Sequence, residues 1–290
     1  VNVRHRRFIR SITLTLMLTP TLVLVAPVAL CATLLSTSAQ AAQRPATVIG
    51  PGTTIVYTSD IADDQRSSKL SLGSHVPAIG DQITIQISLF GMDPEPAMLS
   101  DNNGHVYVRD AMESYLHVGG DGKDASVAVF RTVVTRNSAK PFTVTFDPGV
   151  KTAGDLPGRW WTWGLSSHSN PAADPVEGSA TAHGVNSTRI PAGTVAAGTG
   201  AWIAFSVSMN RGHDTRPVKP PAGWTAIANN SEDSRHQSGH AFFLIGSAPG
   251  DVAPVANVVD IADGQPAEIT GYRAMLIVYK LAPPAPPPSR

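Results

Sequence analysis

The chain has 290 residues, room for two ordinary domains, and is 42% hydrophobic but only 15% charged. That excludes both a disordered acidic chain and a long surface helix. Lys plus Arg and Asp plus Glu balance at 22 each, and beyond the first ten residues there is no basic cluster of the kind that nucleic acid or an anionic surface would require.

Arg4, Arg6, Arg7 and Arg10 give a basic start, and the apolar run over residues 12–35 is interrupted by Pro20 and Pro27. Ala39 and Ala41 then occupy the small-residue positions that a signal peptidase reads. The pattern predicts a secretory signal over residues 1–41, cut after Ala41. An uncleaved membrane anchor is the alternative that the length of the run permits. Cys31, the only cysteine, falls inside this signal and follows Leu30 rather than the small residue of a lipoprotein signal. The exported protein is therefore expected to lack disulfides, thiolate metal sites and cysteine nucleophiles. Four of the 22 basic residues leave with the signal and no acidic one does, so the remainder is mildly acidic. Neither nucleic acid nor stable membrane insertion is expected of it.

Residues 42–52 read as a short linker. Residues 53–57 are β-branched enough for a first strand, and 61–68 read as a polar loop. Over residues 82–89 polar side chains alternate with Ile83, Ile85, Ile87 and Leu89, which predicts a strand with one buried face. Pro94 and Pro96 end that strand. Asn103-Gly104 signals a hairpin turn, and further strands are predicted at 126–135, 142–146 and 159–165. No segment of this half has a helical period.

Residues 67–89 are then written a second time as residues 187–209, at a constant offset. Gly73, Gly80, Ile83, Ile87 and Leu89 answer to Gly193, Gly200, Ile203, Val207 and Met209. Beyond this block, residues 221–227 stand where the Asn-Gly turn stood, 241–245 answer to 127–131, 265–270 to the strand at Phe142, and 272–281 to the tryptophan-rich strand. The predicted fold class is all-β, with two tandem antiparallel β-sandwich domains over residues 53–170 and 171–281 arising from an internal repeat. Residues 282–290 are expected to form an extended proline-rich tail.

The motifs Gly80-Asp81, Ser100-Asp101, Gly104, Tyr107 and Pro221-Ala222-Gly223-Trp224, with the closing strand 272–281, resemble the tandem jelly-roll-like repeats of secreted bacterial and phage-tail-associated surface proteins. The resemblance spans nearly all of the exported chain. It implies the fold more than an activity, since such repeats mostly have none assigned.

Of the Trp160, Trp161 and Trp163 cluster, strand alternation sends Trp161 and Trp163 to the core and leaves Trp160 outward, free to stack on a sugar or a partner. Trp202 alternates out of register with Ile203, Phe205 and Val207 and is expected to be similarly exposed. Trp224 reads as a core anchor. Metal candidates are weak: His236 and His240 with His213 and Asp214, and calcium at Asp121 and Asp124 or at the turn from Asp101 to Gly104, which lack the closing Glu of an EF-hand. No cofactor is expected. No nucleophile elbow occurs, and no spacing links Ser74-His75 or Ser167-His168 into a relay. Asp93 with Glu95, or Asp110 with Glu113, are the acid pairs a glycosidase would need.

The expected function is a non-enzymatic, secreted binding or surface-interaction protein whose partner is a glycan or another surface protein. An extracellular polysaccharide-active enzyme with carboxylates between the sandwiches, and a structural component of a surface assembly, are the alternatives.

Overall fold

The computed structural model describes residues 45–50, 53–63, 67–90, 93–114, 125–137, 140–149, 160–169, 171–210, 218–229, 237–246, 248–259 and 264–282, all within the compact unit Ser38–Arg290. The expected signal and the proline-rich residues 283–290 lie outside these. The described residues are all-β, apart from one 3-10 turn at Pro96–Met98, and every strand pairing is antiparallel. Among them no helix is long and apolar enough to cross a membrane.

The first half contains β1 (Ala46–Gly50), β2 (Thr53–Asp63), β3 (Ser68–Ser71), β4 (Gln82–Phe90), β5 (Leu99–Asp101), β6 (Val108–Glu113), β7 (Ala125–Val133), β8 (Thr143–Phe146) and β9 (Trp160–His168). They form a six-stranded sheet, β1-β2-β9-β4-β7-β6, and a three-stranded sheet, β3-β8-β5. Alternation decides which side chains meet between them. Ile83, Ile85, Ile87 and Leu89 of β4, with Trp161, Trp163 and Leu165 of β9, close on Leu70, Val144 and Phe146 of the smaller sheet. Both tryptophans are core residues as expected, and the Trp161 indole donates to Ser68 Oγ at 3.0 Å.

Three local expectations change. Residues 46–50, inside the expected linker, pair with β2 as an edge strand, and β2 runs on to Asp63 through the expected loop. Gly104 does adopt the left-handed turn conformation, at φ 72°. The turn, however, carries the chain from β5 in one sheet to β6 in the other instead of closing a hairpin. Asp101 is the reason: its carboxylate accepts from Asn103 N–H at 2.8 Å and from the Tyr107 hydroxyl at 2.9 Å, so the turn closes on itself and the next strand starts only at Val108.

The second half contains β10 (Pro171–Ser187), β11 (Arg189–Pro191), β12 (Val195–Ala197), β13 (Trp202–Asn210), β14 (Val218–Lys219), β15 (Thr225–Asn229), β16 (Gln237–Ile245), β17 (Gly250–Val252), β18 (Val255–Val258) and β19 (Ile269–Leu281). Its sheets are β10-β19-β13-β16-β15, β11-β18-β14 and β12-β17. Where strands of the two halves correspond, their register matches. Gln82 lies between Val133 and His168, and Trp202 between Ile245 and Tyr279. Even the irregularities coincide: β6 slips against β7 between Arg109 and Ala111, and β15 slips against β16 between Ala226 and Ala228. Such bulges are retained features rather than accidents. Asp110 and Ile227 are the extra residues.

This register corrects two pairings expected from sequence. Leu70 faces Val144 as Ile190 faces Ala256, so the strand answering to 143–146 is β18, while residues 265–270 lead into β19. Ala256 is too small to mark a buried position by its hydrophobicity. Likewise Ala241 answers to Val129, two places from the expected pairing, because β16 begins within residues too polar to read as strand.

Each large sheet is buried on both faces. Val127 and Val129 of β7 and Ile55 of β2 pack with Ala204, Ala241, Phe243, Met275 and Ile277 from the second half in a third core. The approach is close at two glycines. A Cβ on Gly164 would lie 2.5 Å from Ile227 Cγ2, and one on Gly239 would lie 2.5 Å from Ser88 Cβ. Polar side chains bridge the same layer: Gln86 donates to Ser206 Oγ at 2.9 Å and Ser88 to the Val207 carbonyl at 2.9 Å.

Candidate functional site

Trp202 is where sequence and structure part most clearly. It does alternate away from the core of its own half, but the face it reaches is covered by the first half and the ring is fully buried. Its centroid lies 4.0 Å from that of His168 and 5.2 Å from that of Tyr279. The expected exposed platform is therefore an interior residue. Trp160 opens β9 opposite Asp63, and its side chain lies outside the described residues.

His168 sits within this layer, with Nε2 2.9 Å from Ser166 Oγ. Burial alone pulls its pKa down to about 3, so the imidazole is neutral at ordinary pH. The acid pairs named from sequence are also engaged. Asp110, presented by the β6 bulge, accepts from Arg131 Nε at 2.9 Å and from the Tyr279 hydroxyl at 2.8 Å. Burial raises its pKa, and Tyr279 and then Arg131 pull it back. Glu113 meets His183 of β10 at 3.2 Å, and Glu95 meets Arg109 at 2.8 Å. Asp93 is exposed. Asp110 thus joins the two halves as a polar staple, and a buried pair of this kind contributes register more reliably than stability.

At the Asp101 turn, Thr135 N–H donates to His105 Nε2 at 3.2 Å, so Nδ1 carries the ring proton and donates to Asp101 at 3.1 Å. The Asp101 carboxylate, one of the groups expected to suit calcium, closes this turn. Asp121, Asp124, His236, His213 and Asp214 lie outside the described residues. His240 is buried in β16 with its ring parallel to Phe242. Among the described residues, no three metal-ligating side chains gather.

One juxtaposition was invisible in the sequence, because its members stand far apart. His75 Nε2 lies 3.4 Å from Ser167 Oγ, with Asp81 close enough to raise the imidazole pKa against the larger lowering by burial. The trio falls short of a relay. Asp81 accepts from Ala78 N–H at 2.9 Å and has no bond to the ring, and Ser167 is buried. The corresponding positions of the second half carry Val195, Val278 and Ala201.

The surface itself offers a different feature. Among the described residues six large apolar side chains are exposed, and five of them, Val76, Ile79, Val106, Val108 and Val133, belong to one end of the first half. Gly80 N–H donates to the Val134 carbonyl and Val134 N–H to the Asp81 carbonyl, each at 2.8 Å, tying the turn that holds Ile79 to the end of β7. The bond from Thr135 to His105 brings in Val106, and Val108 pairs with Arg131 one step along. Val106 is 81% exposed and Ile79 59%, too open for core residues. In the second half the matching positions of Val76, Ile79 and Val133 hold Ala196, Thr199 and the half-buried Ile245. The apolar end is thus a property of one half and not of the shared fold.

No family model, curated protein or solved structure matches this chain.

Proposed function

We propose that the chain is an exported, non-enzymatic binding protein built from two tandem jelly-roll-like β-sandwich repeats, which contacts the surface of another protein through the aliphatic end of its first repeat. The observation that carries this reading is the gathering of Val76, Ile79, Val106, Val108 and Val133 at one end. Aliphatic side chains with no aromatic ring among them suit a protein surface better than a sugar, whose recognition relies on ring stacking. Matching register and matching bulges in the two halves support duplication of one unit, and the basic, apolar and small-residue pattern of residues 1–41 supports export.

The test compares wild type with Ile79→Lys and Val106→Lys on three substrates: surface-protein extract, a glycan array and a polysaccharide panel assayed for product release. Retention of a discrete protein, weakened at least about tenfold by either lysine, is the expected result, since each variant puts an unpaired charge into an apolar contact. Glycan binding untouched by both variants, or turnover of any polysaccharide, would replace this reading.

A further inference from the structure

An edge strand offers a row of unpaired N–H and C=O groups, and proteins normally blunt it with brevity, charge, proline or a bulge. Three of the four outer edges of the large sheets carry such devices. β1 has five residues between Pro45 and Pro51, and the part of β2 beyond it carries Asp60 and Asp63. β6 has a bulge with Arg109, Asp110 and Glu113, and β15 is five residues long with the matching bulge.

The fourth edge is β10, at 17 residues the longest strand described. Its first part is blunted by Pro171, Asp174, Pro175, Glu177 and two register shifts. From Gly178 to Val185 it then runs in unbroken register with β19, and residues 179–187 contain no Pro, Lys, Arg, Asp or Glu. Among the described residues β19 is its only ladder partner in the sheet. Val185, the sixth exposed apolar side chain, stands on this stretch at 64% exposure.

We propose that a second copy of this chain pairs here, β10 against β10 and antiparallel about a twofold axis, joining two five-stranded sheets into one of ten. Two features select a second copy over a foreign strand. The stretch is self-complementary: centred on Ala182, it sets Ser179 opposite Val185, Thr181 opposite His183 and Glu177 opposite Ser187, so no charge meets a like charge. Its inner face, where Gly178, Ala180, Ala182 and Gly184 alternate, also presents only small side chains, and a Cβ on Gly178 or Gly184 would lie under 3.0 Å from Val195 or Tyr272. Recognition of a foreign strand draws its specificity from pockets for alternate side chains. The interface is small, so the dimer is weak and reversible.

Sedimentation equilibrium on the compact unit Ser38–Arg290 is the test, paired with amide hydrogen exchange at high and low concentration. The expected result is a mass that doubles with concentration and alternate amides over residues 179–185 that become protected in parallel. Thr181→Lys weakens association at least about tenfold, whereas Thr181→Val preserves it. A protein that stays monomeric, exchange in this stretch that ignores concentration, or a dimer indifferent to Thr181→Lys would overturn the proposal. If the lysine variant does not fold, the exchange pattern of the wild type decides alone.

Discussion

His168 and Trp202 meet edge to face inside the protein. A histidine held neutral by burial makes folding depend on pH, and the sign follows from its lowered pKa. The unfolded chain takes up a proton near pH 6.5 while the folded chain refuses it until about pH 3, so the stabilisation is whole above pH 6.5 and erodes as pH falls. By pH 5.5 the loss attributable to this residue is about 1 kcal/mol. Urea unfolding of wild type and His168→Phe at pH 7.5 and pH 5.5 should show the larger decline in wild type; equal declines would remove the argument. At this scale the sequence was half legible. Alternation sent Trp161 and Trp163 inward and Trp202 to the other face, all as observed. What alternation cannot reveal is whether a second sheet covers that other face. The approach of His75 to Ser167 was likewise out of reach, since it depends on how two distant segments of the chain are folded together.

At the scale of the element, the two large sheets approach closest where glycine allows it. Gly164 on β9 faces Ile227, the bulge residue of β15, and Gly239 on β16 faces Ser88 and Thr162. Gly239→Ala should cost about 1–3 kcal/mol by overpacking. Gly164→Ala should cost a similar amount but lose much of that cost in the company of Ile227→Ala, because the same atoms clash. A double-mutant cycle read by urea denaturation tests this, and additive losses would show that the contact does not limit the approach. Strand existence was legible for the long strands, where Ile83 to Leu89 and Ile203 to Met209 alternate cleanly. The short strand β18 was missed, because Ala256 carries little signal and Val258 alone does not make a pattern. β1 reads as linker in the sequence because Pro51 and Gly52 follow it.

At the scale of the whole molecule, the offset between residues 67–89 and 187–209 matched the register of β4 and β13, while two of the later pairings read from it had to be moved. It could not place one half upon the other. That placement follows from apolar side chains on the second face of each large sheet, and it makes the halves depend on each other. Ala204→Asp puts a carboxylate into this shared layer and should cost at least about 3 kcal/mol. Hydrogen exchange in β4, on the other half, should accelerate with it. Exchange there that is indifferent to Ala204→Asp would mean two halves folding independently. The same packing takes up two residues singled out from sequence: Asp110 and Trp202 are part of what joins the halves. The aliphatic end proposed for contact was legible in no motif, because isolated valines are common on any surface. Only the turn at Gly80 and the bond between Thr135 and His105 gather them.

The most direct measurement is cross-linking from that end. A photoreactive residue replacing Ile79 should join the protein covalently to one discrete surface protein, while the same residue replacing the exposed Val185 on the edge strand β10 should not capture that protein. Equal capture of that protein from both positions, or glycan capture at position 79, would contradict the account.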